Sequence, residues 1–131
     1  MASQLWPTII TLLSLAVLIW VAMIVGHYRK KCNVAAPATT GDPLFERAYR
    51  VQMNTIESAI IYLPALWLAV LWGAGYLAAV AGALWIAGRI LYALAYLKDP
   101  KKRGLGFGVS FMAIVVLMIE AAIGVLRTAL A

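Results

Sequence analysis

Polar and apolar positions separate along this chain into long apolar runs bounded by short polar clusters. No Lys, Arg, Asp or Glu occurs from Leu5 to Tyr28, and none between Glu57 and Arg89. The second charge-free stretch is too long for one crossing of a bilayer, which takes about 20 residues. Gly73-Ala74-Gly75 is the turn signal that divides it. The pattern predicts four helices, at about 5–28, 43–72, 76–97 and 108–130, each able to span a membrane. Asn33 to Asp42 reads as a loop, with Asp42 as N-cap and Pro43 at the first helical position of the second helix. That helix exceeds the hydrocarbon thickness, so its polar first turns project into headgroups or cytoplasm, and Pro64 inside it predicts a kink. The expected fold class is an all-α integral membrane four-helix bundle, one domain over residues 1–131.

Composition supports that class. Of the 131 residues, 65% are hydrophobic and only 12% charged, against about 25% charged in an ordinary soluble domain. The net charge of +6 needs no nucleic-acid partner, because cations flanking membrane spans set topology. Arg29, Lys30, Lys31, Arg47 and Arg50 lie at the first connection, and Lys98, Lys101, Lys102 and Arg103 at the third. The second connection has none, and Arg127 alone lies near the C-terminus. The positive-inside rule then places the first and third connections in the cytoplasm and both termini outside. The first apolar run carries its cations after it, which marks a retained helix and not a cleaved signal peptide. Cys32 is the only cysteine, which excludes a disulfide or a cysteine metal site within the chain. No metal-ligand cluster, phosphate loop or haem motif is present, so no metal is expected.

Candidate chemistry gathers at the cytoplasmic end. Arg47, Arg50, Asn54 and Glu57 fall within about 80° on a helical wheel. Two cations, an amide and a carboxylate on one stripe can bind a small zwitterionic or anionic ligand. The alternative is a solvated helix start with a Glu46–Arg50 ion pair at i, i+4. On the third helix, Arg89, Tyr92 and Tyr96 span about 60°. The tyrosines read as an interfacial belt or as part of a site, whereas Arg89, two turns inside, needs an acidic or carbonyl partner, for which Glu57 is a candidate. Glu120, midway along the fourth helix, reads as a structural acid paired across the bundle or with Arg127 through water. His27 reads as an interfacial residue, and Trp6, Trp20, Trp67, Trp72 and Trp85 as lipid-facing or belt residues.

Thr39-Thr40-Gly41, Phe45-Glu46-Arg47-Ala48-Tyr49-Arg50, Gln52, Asn54-x-x-Glu57, Gly88-Arg89-x-x-Tyr92-x-x-x-Tyr96 and Arg103 together resemble the MAPEG family, the membrane-associated proteins of eicosanoid and glutathione metabolism. The resemblance covers nearly the whole chain. It implies a homotrimer binding glutathione, as co-substrate, between subunits at the cytoplasmic end. Carried over by position, it implies that Arg50, Asn54, Glu57, Tyr92 and Tyr96 line the glutathione site, and that Arg29 and Gln52 reach it from the adjacent subunit. Arg103 matches the arginine assigned to thiol activation, and Arg47 and Arg89 are supporting residues. Two positions depart from the eicosanoid-synthase pattern: Ser58 stands where those members have tyrosine, and Lys30 where they have arginine. The resemblance therefore implies a glutathione transferase or glutathione-dependent peroxidase of a bacterial inner membrane, acting on lipophilic electrophiles or lipid hydroperoxides. Its rivals are a non-catalytic lipid-binding scaffold of the same family and a small four-helix multidrug transporter. The transporter reading lacks its membrane-embedded glutamate, since residues 5 to 26 hold no acid.

Overall fold

The structure, a computed structural model, describes residues 4–131. Four long helices follow one another: α1 (Leu5–Lys31), α2 (Pro43–Trp72), α3 (Gly75–Lys98) and α4 (Gly104–Ala129), with a short 3-10 turn at Pro100–Arg103 before α4. All four are long and apolar enough to cross a membrane. Large apolar side chains such as Leu5, Met23, Ile60 and Leu71 are more than 60% exposed, as expected where the surrounding solvent is lipid.

Local chemistry explains the helix ends. The Asp42 carboxylate accepts from the Leu44 N–H at 2.8 Å and the Phe45 N–H at 3.4 Å, and Pro43 occupies the first turn. Each satisfies or removes an amide that the helix cannot pair internally. Glu46 reaches back to the Gly41 N–H at 3.4 Å, so this hydrogen bond, and not the i, i+4 pair with Arg50, is what the structure records for it. Helix α2 continues through Pro64 to Trp72. Helix α4 begins at Gly104, about one turn before the start near 108 that the pattern predicts. Asp99 caps the turn before it through the Lys101 N–H at 3.0 Å. Gly104, Gly106 and Gly108 are then helical despite their low propensity, and packing explains at least one of them.

That packing is the close approach of α3 and α4. A Cβ on Gly88 would fall 2.8 Å from the Ser110 amide nitrogen and 3.1 Å from the Gly106 carbonyl oxygen. A Cβ on Gly106 would collide with the Tyr92 backbone. Only glycine permits this contact, which brings Arg89 and Tyr92 against the first turns of α4. Helix α4 also packs on α2, and α1 packs on α2 and α3.

The core corrects one expectation. Trp85 is fully buried, not lipid-facing, and stacks on Tyr62 with ring centroids 3.9 Å apart. Its indole N–H donates to Ser58 Oγ at 3.0 Å. The Tyr62 hydroxyl lies 3.1 Å from Ser14 Oγ on α1. Each polar tip thus finds a partner inside the bundle, which lets two large amphipathic rings occupy the middle of the core.

Candidate functional site

The cation-rich end holds two neighbouring cavities. The larger, about 640 Å³, lies between α2, α3 and α4 and has a polar mouth of Asn54, Glu57, Arg89, Tyr92 and Arg103. The smaller, about 310 Å³, is lined by Pro43, Glu46, Arg47, Arg50 and Tyr96. The aromatic pair joins them: Tyr92 and Tyr96 have centroids 5.5 Å apart, and the Arg103 guanidinium sits 5.8 Å from the Tyr96 ring centroid. Asn54, Glu57, Tyr92 and Arg103 therefore meet in one cavity, while Arg50 and Tyr96 line the other.

Each polar group is positioned differently. Asn54 Nδ2 donates to the Tyr92 hydroxyl, which locks α2 to α3 at the mouth. Arg89 is 1% exposed; it lies 4.1 Å from the Tyr92 ring centroid and donates to the Asn54 carbonyl at 3.3 Å. Glu57 is not its hydrogen-bond partner, because the Asn54 carbonyl stands one turn nearer the helix start and takes the guanidinium first. Arg89 Nε and Nη2 have no hydrogen-bond partner among the described residues. A guanidinium left partly unpaired beside a cavity favours an anion there. Glu57 is exposed at the same mouth, as is Arg103. Arg103 stands where the Pro100–Arg103 turn runs into α4, so the positive end of that helix's dipole adds to the potential beside its side chain.

Other candidates stand apart. Arg47 donates to the carbonyls of Leu97 at 3.4 Å and Lys98 at 3.2 Å, tying α2 to the C-terminus of α3. Arg29 donates to the carbonyls of Ala38 at 2.8 Å and Val34 at 3.3 Å and lies 4.6 Å from the Phe45 ring centroid. It clamps the loop that precedes α2. Gln52 lies about 160° around α2 from Asn54 on the helical wheel and is absent from both cavity linings.

The apolar wall of the larger cavity was not singled out by the sequence pattern. Phe107, Phe111, Ile114 and Met118 form one strip along α4 at steps of four, three and four residues. Ser58 faces the same space. Helix α4 is apolar on all sides, so periodicity gives no contrast from which to pick the strip. Ile61 and Met118 also line an apolar groove of about 660 Å³ between α2 and α4, which extends the wall past Pro64 to Trp72. A polar mouth carrying both charge signs thus opens onto an apolar channel along the bundle.

The MAPEG family model matches residues 7–123. An uncharacterised protein of Synechocystis is 40% identical over 122 residues, which cover 93% of this chain and 89% of that one. Human microsomal glutathione S-transferase 2 is 38% identical over 104 residues, covering 79% of this chain and 71% of that protein. Bovine leukotriene C4 synthase is 32% identical over 117 residues, with 89% and 78% covered. By the length of the match, and by these relatives, the chain belongs to the MAPEG family.

Proposed function

We propose that this protein is a membrane-bound glutathione transferase, with glutathione-dependent peroxidase activity on lipid hydroperoxides, working as a homotrimer with its site on the cytoplasmic side. One observation carries the reading: Asn54, Glu57, Arg89, Tyr92 and Arg103 share a mouth that opens onto an apolar channel. Glutathione offers two carboxylates, one ammonium and one thiol. Glu57 takes the ammonium, and Arg50, Arg89, Asn54 and the tyrosine hydroxyls take the carboxylates and peptide groups. Gln52 completes the site of a neighbouring subunit. Arg29, with Nη1 on the loop carbonyls, supports the site by holding that loop. Membership in this family also leaves the multidrug-transporter reading without support.

Arg103 activates the thiol. A free thiol has a pKa near 8.5, and lowering it by about two units requires about 2.7 kcal/mol of preference for the thiolate. A guanidinium about 4 Å from the sulfur gains about 4 kcal/mol at an effective dielectric of about 20. The α4 N-terminus adds about 0.3–1 kcal/mol. Arg103 is exposed, so its share meets the requirement when bound substrate excludes water from the mouth. The thiol proton passes to water. The thiolate then attacks an electrophilic carbon held against Phe107 and Phe111; the S–C bond forms as the leaving group departs with its electron pair.

The test is conjugation by purified protein across a panel of model electrophiles and lipid hydroperoxides, with thiolate absorbance followed separately. Turnover with at least one electrophile, together with thiolate formation that Arg103→Ala abolishes, is the expected result. Glutathione that neither binds nor ionises would leave the lipid-binding scaffold as the better reading.

A further inference from the structure

At the end of the bundle away from the cation-rich connections, α2, α3 and α4 enclose another cavity of about 660 Å³. Its charged groups are Glu120 and Arg127, with Thr128 beside them. Glu120 is 8% exposed, and neither carboxylate oxygen has a hydrogen-bond partner among the described residues. The carboxylate approaches the Ala74 backbone without reaching good hydrogen-bond geometry. It fits there because residue 73 is glycine: a Cβ would fall 2.7 Å from the Glu120 Cδ. An acid in a membrane span is costly, and such residues are retained mainly where they pair, line a wet cavity or bind something polar.

The surroundings narrow what that partner is. Among the described residues no group of three His, Cys, Asp or Glu side chains could hold a metal ion, and a lone carboxylate is a poor site for a hard cation that takes six or more oxygens. A carboxylate with free lone pairs instead matches the three N–H donors of a primary ammonium. Arg127 lies two turns further along α4 and is exposed; its planar fork matches a phosphate. Val116, Ile119 and Ile123 continue the wall as exposed apolar side chains, so the cavity opens sideways toward lipid. Trp72 and Tyr76, 44% and 72% exposed, stand at its mouth. Such aromatics sit at headgroup depth.

We propose that this cavity is a lipid site for a phosphoethanolamine headgroup, with the ammonium on Glu120, the phosphate on Arg127 and an acyl chain along Val116, Ile119 and Ile123. The inference is independent of the glutathione reading, because its polar groups, Glu120 and Arg127, line neither cavity at the cation-rich end.

The experiment is native mass spectrometry of the purified full chain, released from detergent with an equimolar mixture of phosphatidylethanolamine and phosphatidylglycerol of matched chains. The expected result is at least about tenfold preferential retention of phosphatidylethanolamine, falling to near parity in Glu120→Gln. Arg127→Gln, at an exposed position, should weaken retention while leaving the protein folded. Glycerophosphoethanolamine, which has the headgroup without chains, should not displace the lipid. Equal preference in wild type and Glu120→Gln would overturn the proposal and leave Glu120 as a carboxyl buried on its own account beside the α3 N-terminus. Displacement by the chainless headgroup would overturn it in favour of a soluble ligand. Should Glu120→Gln not fold, Arg127→Gln decides: both lipids carry the phosphate, so retention of both should fall there, and unchanged retention overturns the proposal as well.

Discussion

The two ends of the bundle are built alike and charged differently. Each has a cavity of similar size, about 640 Å³ at the cation-rich end and about 660 Å³ at the other. Each holds one buried ionisable side chain with unpartnered polar atoms, Arg89 at the first and Glu120 at the second. Each has a helix N-terminus without a side-chain cap, that of α4 and that of α3. Each depends on glycines that admit a neighbour's backbone or side chain. The difference is sign and number. Two guanidinium groups and one carboxylate, Arg89, Arg103 and Glu57, suit a ligand with two acids and one amine, whereas one carboxylate and one guanidinium suit a ligand with one of each. The scaffold supplies the pockets, and the charged residues select what enters them.

The sharpest break of that comparison is at Arg103. If thiolate stabilisation belongs to the cation-rich end alone, Arg103→Ala should lower kcat for conjugation by about 10²- to 10³-fold, the usual cost of removing one preorganised donor to a developing anion. Glutathione should still bind, as measured by equilibrium dialysis. Glu120→Gln should change kcat less than about twofold, because it lies at the opposite end of the bundle and lines neither cavity at the cation-rich end. Loss of conjugation in Glu120→Gln with a normal unfolding profile would show that the two ends are coupled.

How much of this was legible in the sequence follows from which signals are local. The Asp42 cap, Pro43 and the Gly73-Ala74-Gly75 turn are written in adjacent residues, and the structure has all three. The start of α4 was not legible, since glycines at 104, 106 and 108 read as a loop until Gly88 and Tyr92 are seen to need Gly106 bare. Trp85 shares the α3 face of Arg89 and Tyr92 and is buried with them, a register that tryptophan's usual preference for the membrane interface hides. Arg89 calls for an acidic or carbonyl partner, and of the two the structure supplies the carbonyl, that of Asn54, where the residue pattern names only Glu57 as a candidate. Asn54 and Glu57 stand on one wheel stripe and Tyr92 on another, and only the family resemblance joins Arg103 to them; the four share a cavity. The α4 strip from Phe107 to Met118 was not legible, for want of polar contrast.

Glycine substitutions separate the ends by stability. A Cβ on Gly124 would land on the Trp72 carbonyl, and one on Gly106 would land on the Tyr92 backbone. Overpacking of this kind costs about 1–3 kcal/mol. Gly124→Ala should lower the thermal midpoint in detergent while conjugation per folded protein stays intact. Gly106→Ala should lower both, since it displaces Tyr92 from the mouth. Gly26→Ala, where nothing lies within 4 Å, is the control and should lower neither, since inside α1 alanine only improves helix propensity.

A smaller effect is expected at Glu57. Hydrogen bonds to charged groups contribute about 1.5–3 kcal/mol, and the exposure of Glu57 puts it at the low end. Glu57→Gln should raise KM for glutathione about tenfold, the equivalent of about 1.4 kcal/mol, with kcat nearly unchanged. A fall in kcat at constant KM would instead assign Glu57 to the chemical step.

The smallest effect concerns which way the cation-rich end faces. Cys32 follows α1 and is half-buried. Burial pushes its thiol up from the ordinary range, and the hydrogen bond and charge of Asp42 push it further; that same hydrogen bond, with the Leu44 amide, holds the Asp42 carboxyl down. A raised thiol pKa means less thiolate at neutral pH, and the thiolate is the species that alkylating reagents meet. Asp42→Asn removes the charge yet keeps a good N-cap, so the thiol should move back toward its usual value. Alkylation near pH 7 should then run a few-fold faster in the variant, and the two rates should converge once pH exceeds both thiol pKa values. An impermeant reagent applied to sealed, right-side-out vesicles should label neither form if the site is cytoplasmic, and opening the vesicles should restore the rate difference. Labelling before opening would place the cation-rich cavity on the outer face, and with it the ends of the comparison would exchange compartments while keeping their chemistry.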